Sequence, residues 1–233
     1  MATVKALIDQ ARRDLDDPEV PGGGDDSLSL FSTEELVSYL NRAVDEACIR
    51  TELIVDSDTP EVTRIAVVAG QASYPIDARV LHVKRVRLTG VSQATVLEKS
   101  DRDSLDSSRP NWEDETGVPR YYLQDMNQAL RLYPTPDKDA QLALTVWRRP
   151  LETLKSHKAA VQEPPIPPEH HFQLLDWVYY LALGKQDVDT YQPEQARSHG
   201  QRFAEWFGDR KSAWEMEFDR KKNPHLRSVG KFM

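Results

Sequence analysis

The sequence predicts an α+β fold: a helical bundle built from both chain ends with an inserted antiparallel β-sandwich or small barrel. Three observations lead there. Apolar residues recur at three- to four-residue spacing near the start and again after Pro167, the period of a helix face. Between residues 59 and 150 the period shortens to two, with turn residues about every 8–12 positions, as in small all-β modules. The stretch Glu163-Pro164-Pro165-Ile166-Pro167-Pro168 then marks a stiff return to helices. The predicted division is 1–58 for N-terminal helices, 59–150 for the β module, 151–219 for the linker and closing helix pair, and 220–233 for an extended basic tail.

Taken in order, Val4, Leu7, Ile8, Ala11 and Leu15 place a first helix over residues 3–16. Asp17-Pro18 and Pro21-Gly22-Gly23-Gly24 break it and predict a mobile linker; no Gly-Lys-Ser/Thr follows to make the glycines a phosphate cradle. Ser32-Thr33-Glu34-Glu35 reads as a capping box, with Phe31 as a staple on Leu36. The helix it opens carries Leu36, Tyr39, Leu40, Ala43, Val44 and Ala47 and runs to about Leu53. Strands are expected over residues 62–67, 72–76, 80–88, 95–97, 120–123, 129–133 and 141–148, and residues 101–108 form a short helix or loop. Phe172, Leu174, Leu175, Trp177, Val178, Leu181 and Leu183 predict a buried central helix, apolar on most sides. A second helix opens at Pro193 and has no proline until Pro224, which allows about 28 residues, or roughly 42 Å. Its stripe is Ala196, Phe203, Phe207, Trp214 and Phe218, widened by Trp206.

The chain has 233 residues and a net charge of −8, which argues against a uniformly basic nucleic-acid coating protein. The charge is uneven: residues 220–233 carry +5 with no acid, so residues 1–219 carry −13. An acidic body with a basic tail points to a partner. The single Cys48 excludes an intramolecular disulfide. No apolar run of 18 residues and no signal-peptide segment occurs, so the expectation is a cytosol-like compartment and no membrane.

No nucleophile elbow, Walker loop, His-Glu-x-x-His or dinucleotide fingerprint is present, so no catalytic residue, cofactor or metal is assigned. His170-His171, with Glu169 and Asp176 near, is the pair most suggestive of a metal. Neighbours on a helix point about 100° apart, however, and an ordinary helix start is the preferred reading. Asp114, Glu115, Asp125, Asp137 and Asp139 lie in or near turns, where Asp serves the backbone; a nuclease built from them is the competing view. Trp112 is read as anchoring a loop to the sheet rather than as a ligand platform. Tyr121, Tyr122 and Tyr133, interleaved with Arg120 and Arg131, are read as cross-strand packing rather than a single-strand-binding face. In the tail, Lys221, Lys222, Leu226, Arg227, Val229, Lys231, Phe232 and Met233 combine basic charge with apolar anchors. That pattern suits either a solvating terminus or a segment that folds on a partner.

Several pieces together resemble the head–tail adaptor (connector, or tail tubular) proteins of short-tailed bacteriophages. They are Phe31-Ser32-Thr33-Glu34-Glu35-Leu36 leading to Tyr39-Leu40-Asn41; Glu113-Asp114-Glu115-Thr116-Gly117-Val118-Pro119-Arg120-Tyr121-Tyr122 followed by Leu130-Arg131-Leu132-Tyr133-Pro134-Thr135-Pro136; and Ile166-Pro167-Pro168-Glu169-His170-His171 entering an apolar helix. Their order spans residues 3–207, although the Gly22-Gly23-Gly24 loop is longer than the family pattern. The resemblance implies a non-enzymatic virion protein that forms a twelve-fold ring below the portal protein, receives the tail nozzle protein and lets DNA pass without specific binding. It also implies a C-terminal segment docked on the portal, with Leu226, Phe232 and Met233 as anchors and Lys221, Lys222, Arg227 and Lys231 facing an acidic groove. The residues alone leave two alternatives: a carboxylate-dependent hydrolase, or a ligand-binding β module on a helical oligomerisation base.

Overall fold

A computed structural model describes residues 2–17, 29–91, 93–125, 128–186, 191–212 and 215. The fold is mixed α/β, with six α-helices among the described residues and a curled, half-barrel sheet. Two compact units are present: one takes the chain up to Ile54 together with Arg149–Arg210, and the other centres on Val55–Arg148.

In the first unit, α1 (Val4–Asp14) is capped by Thr3, whose hydroxyl accepts from the Ala6 amide, and buries Val4, Leu7, Ile8 and Ala11. Helix α2 (Thr33–Arg50) begins as the capping box predicts in one half only. Ser32 Oγ accepts from the Glu35 amide at 3.1 Å. The Glu35 carboxylate does not reach back; it accepts from Tyr39 Oη at 2.7 Å and from Lys185 Nζ at 3.0 Å. A charged donor and a phenol outcompete one backbone amide for the same oxygen. Asp17 gathers the approach to α2: its carboxylate accepts from Arg12 Nη1 at 3.1 Å and from the Leu30 and Phe31 amides at 2.8 and 3.1 Å. Arg12 and Asp17 side chains are each only 4% exposed. The glycine loop lies outside the described residues.

Helix α5 (Leu174–Leu183) follows a 3-10 turn at Pro168–His170, packs on α2 and contacts α1. Leu174, Leu175, Val178, Tyr179, Ala182 and Leu183 are buried, but Phe172 is 57% exposed because it precedes the helix proper. Helix α6 (Pro193–Phe207) packs on α5 and is shorter than the proline spacing predicts. It stops at Gly208, whose φ of 79° and ψ of 171° no side-chain-bearing residue adopts readily. Ala196, Phe203 and Phe207 form the buried stripe, whereas Trp206 faces solvent and Trp214 and Phe218 fall outside the described residues. Arg50 ties the ends of α2 and α6 together. Its guanidinium lies 5.0 Å from the Trp177 ring and 5.1 Å from the Phe203 ring and donates to the Gly208 carbonyl at 3.0 Å.

The second unit opens with β1 (Val55–Asp56) and a single helical turn, α3 (Pro60–Thr63). Val62 and Thr63 therefore belong to a helix rather than the expected strand, because Pro60 suits the first helical position. There follow β2 (Arg64–Val67), β3 (Ser73–Pro75), β4 (Val80–Thr89), β5 (Thr95–Lys99), α4 (Arg102–Ser108), β6 (Thr116–Gly117), β7 (Tyr121–Asp125), β8 (Ala129–Tyr133), β9 (Thr135–Pro136) and β10 (Ala140–Arg148). The main sheet runs β1-β10-β4-β5-β7-β8-β3, with β2 also on β10; β6 and β9 form a separate ladder.

The sheet departs from the antiparallel expectation at two places, since β5 pairs with β7 and β6 with β9 in parallel. Residues 100–120 between β5 and β7 are long enough for the crossover a parallel pair requires, and they contain α4. A bulge in β4 at Lys84, where Arg85 faces Thr145 but Val83 faces Val146, also resets the alternation. Val83 consequently joins Val86 and Leu88 on the core face with Leu97, Leu142, Leu144 and Val146.

Candidate functional site

The first unit holds a polar cleft of about 420 Å³ where the end of α1 meets α5 and α6; its lining includes Asp14, Asp16, Asp176, Tyr179, His199 and Arg202. Tyr179 Oη donates to Asp14 Oδ2. Burial, then that hydrogen bond and the charges of Asp14 and Asp176, push the Tyr179 phenol far above its ordinary pKa. His199 Nδ1 sits 2.8 Å from Asp176 Oδ1, and Arg202 Nη2 lies 2.8 Å from His199 Nδ1 and 3.1 Å from Nε2. Assigning the ring proton to Nδ1 lets it donate to Asp176 and leaves Nε2 as the acceptor for the Arg202 guanidinium, which lies along the ring edge near both nitrogens. Both imidazole nitrogens are then engaged, so the ring works as a strut between α5 and α6, set edge-on to Tyr179 at 4.9 Å. Sequence spacing offered no sign of this cleft, because Asp14, Asp176 and His199 are brought together only by packing.

The histidine pair singled out by sequence does not converge. His171 is buried, with Nε2 3.0 Å from the Ile166 carbonyl oxygen and Nδ1 beside the Ala2 backbone, whereas the His170 ring packs 5.5 Å from Phe207. Among the described residues, no group of three or more His, Cys, Asp or Glu side chains is placed to hold a metal ion. Cys48 is fully buried in α2.

In the second unit, Trp112 is a buried anchor. It meets Tyr133 edge-on at 5.5 Å, donates from Nε1 to Asp106 at 2.7 Å and lies under the guanidiniums of Arg131 at 4.9 Å and Arg102 at 5.8 Å. With Leu105, Leu123 and Tyr133 it pins α4 to β7 and β8. Tyr121 stacks on its cross-strand partner Tyr133 at 6.0 Å, and Tyr122 points into the opposite core. Burial alone pushes the Tyr122 phenol up to about 12.

The turn carboxylates are dispersed. Glu115 accepts from Tyr133 Oη at 2.6 Å, Asp139 accepts from the Ala69 amide at 2.9 Å, Asp114 and Asp137 are exposed, and Asp125 ends β7. Asp56 is a structural acid: burial alone would raise its pKa, but hydrogen bonds from Thr59, Asp58 and Arg148 outweigh burial and hold the carboxyl well below the usual range. The tail residues Lys221, Lys222, Leu226, Arg227, Val229, Lys231, Phe232 and Met233 lie outside the described residues.

No helix among the described residues is long and apolar enough to cross a membrane. No curated protein matches the chain. The family model described as SU10 adaptor protein matches residues 2–224, nearly the whole length, in line with the head–tail adaptor resemblance, and the chain belongs to that family.

Proposed function

We propose that this protein is a non-enzymatic structural component of a phage virion, joining the head to the tail. The observation that carries the reading is the family match across residues 2–224. In finer terms, twelve copies form a ring that binds the portal protein on one side and the tail nozzle protein on the other, and DNA passes through it during genome ejection. Each copy is a helical bundle assembled from both ends of the chain and carrying the β module as an insertion. Assembly takes place in the host cytoplasm, and the finished position is the head–tail junction.

The acid surplus of residues 1–219 supports free passage of DNA, because a wall of like charge does not hold phosphates. The basic tail supports contact with the portal: Lys221, Lys222, Arg227 and Lys231 supply charge, and Leu226, Val229, Phe232 and Met233 supply apolar anchors.

The test is co-sedimentation with the portal ring encoded by the same genome, using the full chain and a chain ending at Asp219. A shift of the ring by the full chain alone supports both the adaptor role and the tail. A shift by both moves the contact to the body. A shift by neither overturns the portal assignment.

A further inference from the structure

The solvent face of the curled sheet carries an arginine ladder that the adaptor reading leaves without a role. Cross-strand partners share a face, so the register Arg64–Ala143–Arg87–Val96 sets two arginines and a valine around a small residue across β2, β10, β4 and β5. The next row outward along β4 is Arg85 opposite Thr145, and the bulge adds Lys84 beside it. Arg64, Lys84, Arg85 and Arg87 are all exposed. Among the described residues, no carboxylate forms an ion pair with Arg64, Arg85 or Arg87. Arg87 stands about 7 Å from Arg85 along the strand and about 10 Å from Arg64 across two strand spacings. Val96 is 47% exposed in the same row.

We infer that this face binds an acidic surface on a second copy of the chain, forming one side of the subunit contact within the ring. The inference rests on the proposed ring. Charge supplies the argument for the occupant: with 38 acids against 30 bases a neighbouring copy carries a surplus of acids, and exposed Asp103 and Asp114 carry no ion pair of their own in the second unit. Arginines set among small and apolar residues suit a protein interface, where Arg is enriched and Lys depleted. Exposed Glu98, on β5 next to the ladder, would repel a phosphate backbone.

The test uses the full-length chain, the charge-reversed variant Arg64→Glu/Arg85→Glu/Arg87→Glu, and the milder Arg85→Ala/Arg87→Ala, with circular dichroism confirming that each is folded. Self-association is followed by sedimentation velocity, alone and on the portal ring, and binding to a fluorescein-labelled DNA duplex is measured in parallel. The expected result is a loss of self-association of roughly 30-fold or more for charge reversal, with a smaller loss for the alanine pair. Wild-type association should also weaken as salt rises from about 0.1 to about 0.5 M.

Equal association of wild type and reversed variant overturns the inference, as does a wild type that stays monomeric both alone and on the portal. DNA binding lost in the variant while association is unchanged assigns the face to nucleic acid instead. Portal binding by a wild type that never self-associates sinks the face and leaves the adaptor reading standing. Association lost in the variant, with no portal binding by either chain, does the reverse.

Discussion

Replacing Asp17 with alanine tests whether one buried carboxylate organises the approach from α1 to α2. The substitution removes the acceptor of Arg12 Nη1 and of the Leu30 and Phe31 amides, all three within 2.8–3.1 Å. The Arg12 side chain is only 4% exposed and cannot turn to water without opening the unit. Breaking one side of a buried ion pair costs about 3–5 kcal/mol. For a chain of this length each kcal/mol lowers the melting midpoint by about 2–4 °C, so a loss of about 4 kcal/mol corresponds to roughly 8–16 °C. Calorimetry and urea denaturation both read this out. The double variant Arg12→Met/Asp17→Leu serves as the control, and it should lose less than Asp17→Ala because it removes the buried charges on both sides. A midpoint for Asp17→Ala within roughly 2 °C of wild type would refute the argument. So would a double variant worse than the single one.

Four further outcomes follow from the same geometry. Because the folded pKa of Asp56 is depressed, its stabilisation is present above about pH 4 and lost as pH falls toward the folded value; urea midpoints of Asp56→Asn should lack that acid-side slope. Tyr39 and Tyr122 are each raised to about 12, Tyr39 by burial and then its hydrogen bond to Glu35, and Tyr179 is raised further, so absorbance at about 295 nm should show at least these three phenols ionising well after the ordinary ones near 10. The stabilisation from Tyr39 and Tyr122 is complete below about pH 10 and lost as pH rises through 12, so the Tyr122→Phe variant, in which Tyr39 still titrates, should lose less stability over that range than the wild type. Gly208→Ala should cost about 1–3 kcal/mol in denaturant unfolding, since φ of 79° with ψ of 171° is a glycine conformation. Trp112→Ala should cost about 3–5 kcal/mol and release α4, seen as faster amide exchange over residues 102–108.

Local periodicity made the helices legible where one face alone decides burial. Val4, Leu7, Ile8 and Ala11 are all buried in α1, and Ser32 caps α2 as its sequence predicts. The end of α6 was legible too, in the glycine directly after an apolar stripe; the absence of proline pointed past it. Strand direction was not legible, because alternation is identical in parallel and antiparallel strands and only the connection at residues 100–120 distinguishes them. Alternation sets Arg85 and Arg87 on one face of β4, but the bulge that takes Val83 off that face and the register that brings Arg64 into line with Arg87 are not visible in the sequence. The Arg12–Asp17 pair and the Asp14–Tyr179–His199–Asp176 cleft escaped for a different reason: charged and polar side chains read as solvated until packing shows what encloses them.

The pairing of β1 with β10 carries a consequence for loop-closure entropy. Val55 faces Trp147 and Asp56 faces Val146, so the chain enters and leaves the second unit on adjacent strands, about 5 Å apart. For the first unit, the ninety-odd residues between Ile54 and Arg149 therefore behave as a very short connection rather than a long one. An unpinned loop of that size would add several tenths of a kcal/mol with each doubling of its length, roughly 0.6 kcal/mol. With its ends pinned, residues added between β2 and β9 leave the separation of Ile54 and Arg149 unchanged. The two halves of the helical unit, far apart in sequence, are thus tethered as closely as the arms of a hairpin.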